Sequence, residues 1–531
     1  MGKPLDIAII VVYLLAMLAF GFWGKTRTKD SADFLVAGRR LGPTLYTGTM
    51  AAVVLGGAST VGGVGLGYKW GLSGMWLVVS IAVGLLALSL FFAGRIQRLK
   101  VYTVAQMLRL RYGMDATSSS GLVMAAYTLM LSVTSTIAYA TVFNVLFGTD
   151  RTVSVIIGGA VVMLYSSIGG MWSITLTDMV QFILKTIGIF ALLLPFTLSK
   201  AGGFAGIRER AGDAVFDLGA IGMPTIITFF VVYSFGMLIG QDIWQRVFTA
   251  RSPQVAKWGG TTAALYCVLY GVAGAVIGMA ASTFLPDIEA KDDVYAQIAE
   301  SILPVGISGL VLAAAVAAMM STASGALIAT ATVTRTDVKP LLQRMIGRTP
   351  DTDRDAERDV HSDRMYVVVL GIVVIVIAAL LNDVVAALTI AYDILVGGLL
   401  VAILGGFLWK RATGAGALWS MAVGTVVTLG TMVIVGDVLA NEPIYYGLAA
   451  SLVVYVVASL ATPRTSPEVL AEWDARLAGR EHATGSTPGS AARPDAGQLT
   501  GTMSAAPRRA PSADSSSGIA WLSRSAATRA R

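Results

Sequence analysis

Apolar runs long enough to cross a bilayer recur from one end of this chain almost to the other, and nothing constrains its fold more. They lie at about 5–23, 43–68, 72–94, 116–147, 152–168, 173–199, 223–245, 258–285, 302–330, 365–382, 387–409, 415–435 and 442–461, thirteen in all. A helix needs about 20 mostly apolar residues to span the hydrocarbon, and a barrel would need alternating strands of about 10, a pattern not found here. Of the 531 residues 55% are hydrophobic without the glycines and only 13% are charged, against about 25% charged in an ordinary soluble domain. The sequence predicts an all-α polytopic membrane protein.

Basic residues orient the spans. With the N-terminus outside, the segments 24–42, 95–113, 246–257, 335–364 and 410–411 and the tail from Arg464 are cytoplasmic and hold 31 of the 39 Lys and Arg. Seven lie on the other side and Lys185 falls within a span. This is the asymmetry of an inner-membrane protein, so the net charge of +7 is mainly topology and does not indicate a nucleic-acid partner. No cleavage site follows Trp23; Lys25, Arg27 and Lys29 do, as a cytoplasmic anchor. A short amphipathic helix is expected over Ser466 to His482, capped by Ser466. Beyond it the Ser-, Ala-, Gly- and Pro-rich stretch to Arg531 reads as disordered. One cysteine, Cys267, in an apolar run and two histidines, His361 and His482, in polar stretches exclude a disulfide framework, a thiolate metal site and imidazole chemistry within the membrane.

Three segments depart from plain membrane helix. Leu55 to Gly67 holds six glycines in thirteen residues, consistent either with close helix packing or with backbone unwound at mid-membrane beside a cavity. The seventh span contains Tyr233-Ser234-Phe235-Gly236-Met237-Leu238-Ile239-Gly240-Gln241-Asp242. Two interrupted helices five spans apart point to a transporter built from inverted repeats, here spans 2–6 and 7–11, with its site between the breaks. In the ninth span, Ala317-Ala318-Met319-Met320-Ser321-Thr322-Ala323-Ser324-Gly325 offers hydroxyls that either bond back to the helix or face a small hard cation.

These stretches resemble the sodium:solute symporter family, as do Asp33-Phe34-Leu35-Val36-Ala37-Gly38-Arg39-Arg40-Leu41-Gly42, Ser167-Ile168-Gly169-Gly170-Met171-Trp172 with Thr177-Asp178-Met179-Val180-Gln181, and Gly240-Gln241-Asp242-Ile243-Trp244-Gln245-Arg246. The resemblance covers roughly 5–461. It implies a leucine-transporter type of fold, with one helix before the ten-helix core and two after it, and sodium-driven import of a small organic solute by alternating access. Residues 1–42 would form the first helix and a linker, and 43–246 the first repeat with the first broken helix of the second. Residues 247–411 would complete the second repeat, 412–463 would add two helices, and 464–531 would be the tail.

Carried onto this chain, the resemblance places sodium among carbonyls of Ala58, Val61 and Ala318 and hydroxyls of Ser321 and Thr322. For a second cation Asp178 and Ser324 match, but Gly325 stands where the last hydroxyl would be. The solute would meet Thr60, Gly62 and Gly63 from the first break, and Ser234, Leu238 and Gln241 from the second. Proline-transporting members carry an acidic residue at the position of Thr60 and aromatics at those of Ser234 and Leu238, so proline is not the expected solute. A monocarboxylate or another small metabolite is. No organic cofactor is implied, and membrane lipid is the other partner.

Charges inside spans cost roughly 2.5–3.5 kcal/mol each. Asp178 lies near a span start, Lys185 two turns on, and Asp242 at an inner mouth. Asp393 could bind a cation, relay protons, or accept hydrogen bonds, which keeps a proton-coupled symporter open as the alternative. A channel or sensor of the same fold ranks lower. Gly71-Leu72-Ser73-Gly74 matches a short pattern of intramembrane serine proteases, but no histidine lies within a span to activate the serine, and a loop turn is expected there.

Overall fold

Helices form where the apolar runs lie, and prolines and small polar residues set their starts. Pro4, Pro43, Pro253 and Pro467 each stand in a first turn, where a missing N–H costs nothing. Ser252, Thr413 and Ser466 accept the N–H groups of Val255, Gly416 and Val469, so side-chain oxygen satisfies donors the helix leaves unpaired. The computed structural model describes residues 3–113, 117–347, 360–381, 384–437 and 440–480. Among them there is no strand, only an isolated bridge in which Leu41 and Ala250 lie side by side.

The membrane helices run in order as α1 (Pro4–Lys25), α2 (Pro43–Val54), α3 (Gly63–Trp70), α4 (Trp76–Ala87), α5 (Thr117–Phe147) and α6 (Arg151–Thr186). Then follow α7 (Leu194–Ala201), α8 (Met223–Phe229), α9 (Phe235–Ile239), α10 (Gln241–Thr249), α11 (Pro253–Ala281) and α12 (Ile307–Val333). The last are α13 (Val360–Leu380), α14 (Val384–Leu408), α15 (Gly414–Val435), α16 (Glu442–Ala461) and the short capped helix α17 (Pro467–Leu477). The tail expected to be disordered lies outside the described residues.

Among the described residues, ten helices are long and apolar enough to cross a membrane, or eleven if the bent pair across Gly240 is one span. This is fewer than the thirteen apolar runs because neighbouring runs share a helix. Ala58–Arg98 extends over 41 residues and Arg151–Ala201 over 51, each about twice what one crossing needs. Both contain one glycine in a conformation closed to other residues, Gly71 (φ 60, ψ −142) and Gly170 (φ 56, ψ −142).

The outer faces are apolar. Leu380, Leu408, Val433 and Ile434 are each more than two-thirds exposed, as side chains facing lipid would be. At the centre, α12 is buried all round through its most apolar window, the pattern of a helix walled in by others. It packs against α1, α5 and α6. Asp6 of α1 accepts N–H bonds from Gly306 (2.7 Å) and Gly309 (2.9 Å), neutralising the positive end of that central helix. This is an integral membrane protein with its polar chemistry turned inward.

Gly170 is the sharpest test of this packing. An added Cβ would sit 2.5 Å from the Phe34 carbonyl oxygen at a φ of +56°, and the backbone strain alone costs about 1–3 kcal/mol. Gly170→Ala should lower the unfolding temperature of the purified protein by several degrees. Gly430→Ala, where a Cβ meets nothing, should leave it unchanged or raise it slightly.

Candidate functional site

Helix α2 stops in mid-bundle. Leu55 leaves the helical region (φ −95, ψ 73), and after Gly56 and Gly57 the chain resumes in a wide π turn, Ala58–Gly62, before α3. The carbonyls at the end of α2 thus lose their intrahelical partners, a costly state without water. Two side chains answer it. Lys185, fully buried on α6, donates to the carbonyls of Ala51 (3.1 Å), Ala52 (2.9 Å) and Leu55 (3.4 Å). Thr322 of α12 donates to that of Val53 at 2.6 Å. An added Cβ on Gly56 would lie 2.5 Å from the Thr322 hydroxyl, so the glycine is what lets α12 come this close.

One turn deeper, Asp178 gathers four elements. Its Oδ1 accepts from Ser321 of α12 at 2.7 Å. Its Oδ2 accepts from Thr49 of α2 and from the guanidinium of Arg246 on α10, the latter at 3.1 Å. Both charged side chains are fully buried. Arg246 had counted as a cytoplasmic loop charge; it is an interior residue, because every residue of α10 is buried. The missing side chain of Gly325 makes its room, since a Cβ there would come 2.7 Å from Nη2. Asp178 therefore faces a resident cation, and Ser324 donates to the Ser321 carbonyl at 3.0 Å.

The second break falls at Gly240 (φ −63, ψ 130), with α9 before it and α10 after, the two halves bent by 42°. A cavity lies between the breaks, walled by Gly57, Ala58 and Ser59 from one and Met237, Asp242 and Ile243 from the other. Thr322 and Tyr392 also line it. Only about 30 Å³ is open to the centre of a water-sized sphere, enough for an ion or a water or two. Asp242, placed by its sequence position at an inner mouth, is instead 2% exposed and accepts the Tyr127 hydroxyl at 2.9 Å.

Of the residues expected around sodium, Ala58 and Thr322 share this cavity. Val61, Ala318 and Ser321 are buried, and the π turn carrying Ala58 and Val61 packs against α12. The residues expected around the solute are all buried at the breaks, but their polar groups face elsewhere. Thr60 bonds to Tyr270 (3.0 Å), and Ser234 donates to the Ser80 carbonyl (2.6 Å). Gln241 accepts the Val104 N–H (2.9 Å) and donates to the Tyr102 carbonyl (3.0 Å). Gly62, Gly63 and Leu238 present no polar side chain. Asp393 of α14 is 1% exposed, and neither carboxylate oxygen meets a donor among the described residues. Ser73 is spent on a loop, donating to Leu218 O at 2.8 Å and accepting from Ile221 N at 3.1 Å.

Two broken helices facing one cavity beside a buried central helix describe a transport site, and sequence comparison decides whose. The profile of the sodium:solute symporter family matches residues 34–424. The chain belongs to the sodium:solute symporter family. It is thus a sodium-coupled transporter of a small solute and not an enzyme. Among relatives in this family, the high-affinity proline transporter PutP of Bacillus subtilis (strain 168) is 24% identical over 485 residues, 85% of this chain and 97% of that protein. The sodium/proline symporter of Staphylococcus aureus (strain JH9) is 24% identical over 79% of this chain and 84% of its own length. The fold is that of a solved Na⁺-coupled sialic acid symporter in a substrate-bound outward-open state (TM-score 0.75, 18% identity, 87% of this chain and 99% of that one).

The Asp178–Arg246 pair offers a direct check. Removing one partner of a buried pair strands the other charge, at about 3–5 kcal/mol, whereas replacing both with apolar groups often costs little. Asp178→Asn and Arg246→Met should each lower thermal stability in detergent markedly. The double variant should recover much of the loss, which a strictly additive result would contradict.

Proposed function

We propose that this symporter carries one sodium ion inward with each solute, binding the ion between the first break and α12. The supporting observation is the junction of Thr322 with the broken end of α2. A hydroxyl that donates to a carbonyl keeps its lone pairs free for a cation. Ala58, Val61 and Ala318 would supply carbonyls to the same ion, with Ser321 and Thr322 as the hydroxyl ligands. A second sodium at Asp178 and Ser324 is not needed on this reading, because the Arg246 guanidinium already balances the carboxylate.

The solute would occupy the space between the breaks once that space widens, with Thr60, Gly62, Gly63, Ser234, Leu238 and Gln241 as the surrounding shell. Although relatives carry proline, Thr60, Ser234 and Leu238 depart from the residues expected of proline-transporting members, and we read the solute as another small organic molecule. Reversal at Gly71 and Gly170 would turn the two longest helices into two crossings each. With α2 and α3 as one broken span, this gives thirteen, the N-terminus outside and the tail cytoplasmic in the plasma membrane. The basic-residue asymmetry supports that orientation.

Sodium joining the two moving elements would favour the outward-open state and raise solute affinity, and by linkage solute would raise sodium affinity. One charge crossing 100 mV supplies about 2.3 kcal/mol, roughly a fifty-fold accumulation before any chemical gradient. Proton coupling is the second reading, favoured by the unpartnered carboxylate of Asp393 acting as a relay.

Thermal stability in Na⁺ against K⁺ at constant ionic strength, at two pH values, separates them. A Na⁺-selective stabilisation, with its midpoint moved tenfold or more to higher concentration in Ser321→Ala/Thr322→Ala, is the expected result. Unchanged sodium dependence in that variant would remove the site assignment. A response set by pH and abolished in Asp393→Asn would establish proton coupling.

A further inference from the structure

We propose that the solute carries a positively charged nitrogen and that Asp242 is the residue that selects for it. This rests on the reading that the solute binds between the two breaks. Among the described residues lining that cavity, Asp242 is the only acidic or basic one. It is 2% exposed, and its side chain accepts one hydroxyl, that of Tyr127. The nearby cations are committed elsewhere: Arg246, one turn along α10, to Asp178, and Lys185 to the carbonyls that end α2. The carbonyl end of α2, with Val53 and Val54, faces the same cavity, its oxygens already bonded by Lys185 and Thr322. An anionic solute would meet like charge without water to screen it, a strong bar to binding. An ammonium group would meet its complement.

Aromatic rings reinforce the preference. Tyr392 lines the cavity and packs edge-on against Tyr127 (centroids 5.5 Å apart, 79°) and Tyr233 (5.3 Å, 73°). Ring faces attract cations, and a desolvated contact strengthens the attraction. The chemistry at this end of the cavity is therefore a carboxylate beside a tyrosine cluster, suited to a primary or substituted ammonium on a small molecule. On this proposal the solute is not a simple monocarboxylate.

The test uses the full-length purified protein in saturating Na⁺ and reads thermal stabilisation by matched probes. Choline, glycine betaine and L-alaninamide carry the nitrogen charge; 3,3-dimethylbutanol, 3,3-dimethylbutanoate and lactamide are their counterparts without it. At least one charged-nitrogen probe should stabilise the protein at a concentration tenfold or more below its counterpart. Asp242→Asn should shift that midpoint upward at least tenfold while the Na⁺ midpoint, measured without probe, stays within twofold. Should Asp242→Asn not fold, Tyr127→Phe and Asp242→Glu should weaken the same probe without moving the Na⁺ midpoint. Equal response to counterparts, no response to any charged-nitrogen probe, or a solute response that survives Asp242→Asn would overturn the proposal. Loss of the Na⁺ response itself in Asp242→Asn would make Asp242 a sodium ligand instead. Absence of any Na⁺ effect in the unaltered protein would count against the parent reading and is seen before a probe is added.

Discussion

The structure depends on how it satisfies the carbonyls exposed where α2 ends in the middle of the bundle. No water-rich loop is available there, so the oxygen atoms of Ala51, Ala52, Val53 and Leu55 need donors from neighbouring helices. Lys185 and Thr322 provide them from α6 and α12. Those two contacts hold one half of the broken span to two long helices while leaving the chain from Gly56 onward free of them. A break that would otherwise be only a cost becomes a junction.

The Asp178 network ties the second break to the same junction. Thr49, Ser321 and Arg246 converge on one carboxylate from α2, α12 and α10, so both broken spans share one buried ion pair with the central helix. Such a pair adds little net stability over an apolar replacement, since desolvating two charges offsets most of their attraction. Its consequence is geometric: α10 cannot shift relative to α6 without separating the opposite charges of Arg246 and Asp178 in a medium of low dielectric. The Leu41–Ala250 bridge fixes the far end of α10 to the linker after α1. The half of the second broken span formed by α10 is thereby anchored at both ends.

Much of this was legible in the sequence, because each feature follows from local composition. Apolar runs mark the helices, the glycines of 55–67 mark the first break, and the stretch 233–242 marks the second, which falls at Gly240. What could not be read was direction. Arg246 follows an apolar run and so resembled a cytoplasmic anchor, yet α10 is a short helix wedged on all sides. Lys185 lies two turns after Asp178 on α6, but its partners are carbonyls free for it only because another helix breaks. Thr60, Ser234 and Gln241 had suitable chemistry for a solute, but a π turn or a break rotates each side chain away from straight-helix expectation, toward Tyr270, Ser80 and Tyr102. Gly325, an absent hydroxyl in the sequence, proves to be room for a guanidinium.

The division of charge explains how one site can couple two cargoes. Around Asp178 and the end of α2, fixed cations from Arg246 and Lys185 sit against fixed oxygen, leaving neutral hydroxyls and carbonyls at the proposed sodium position. A neutral oxygen set binds a small ion reversibly, because little charge must be separated when it leaves. Across the cavity, Asp242 stands in the first turn of α10 and accepts the Tyr127 hydroxyl. An ion held at Thr322 would touch both the end of the first broken span and the central helix, while a solute nitrogen would meet Asp242 on the second break. Both would act on the same space between the breaks, so each would favour the arrangement the other needs.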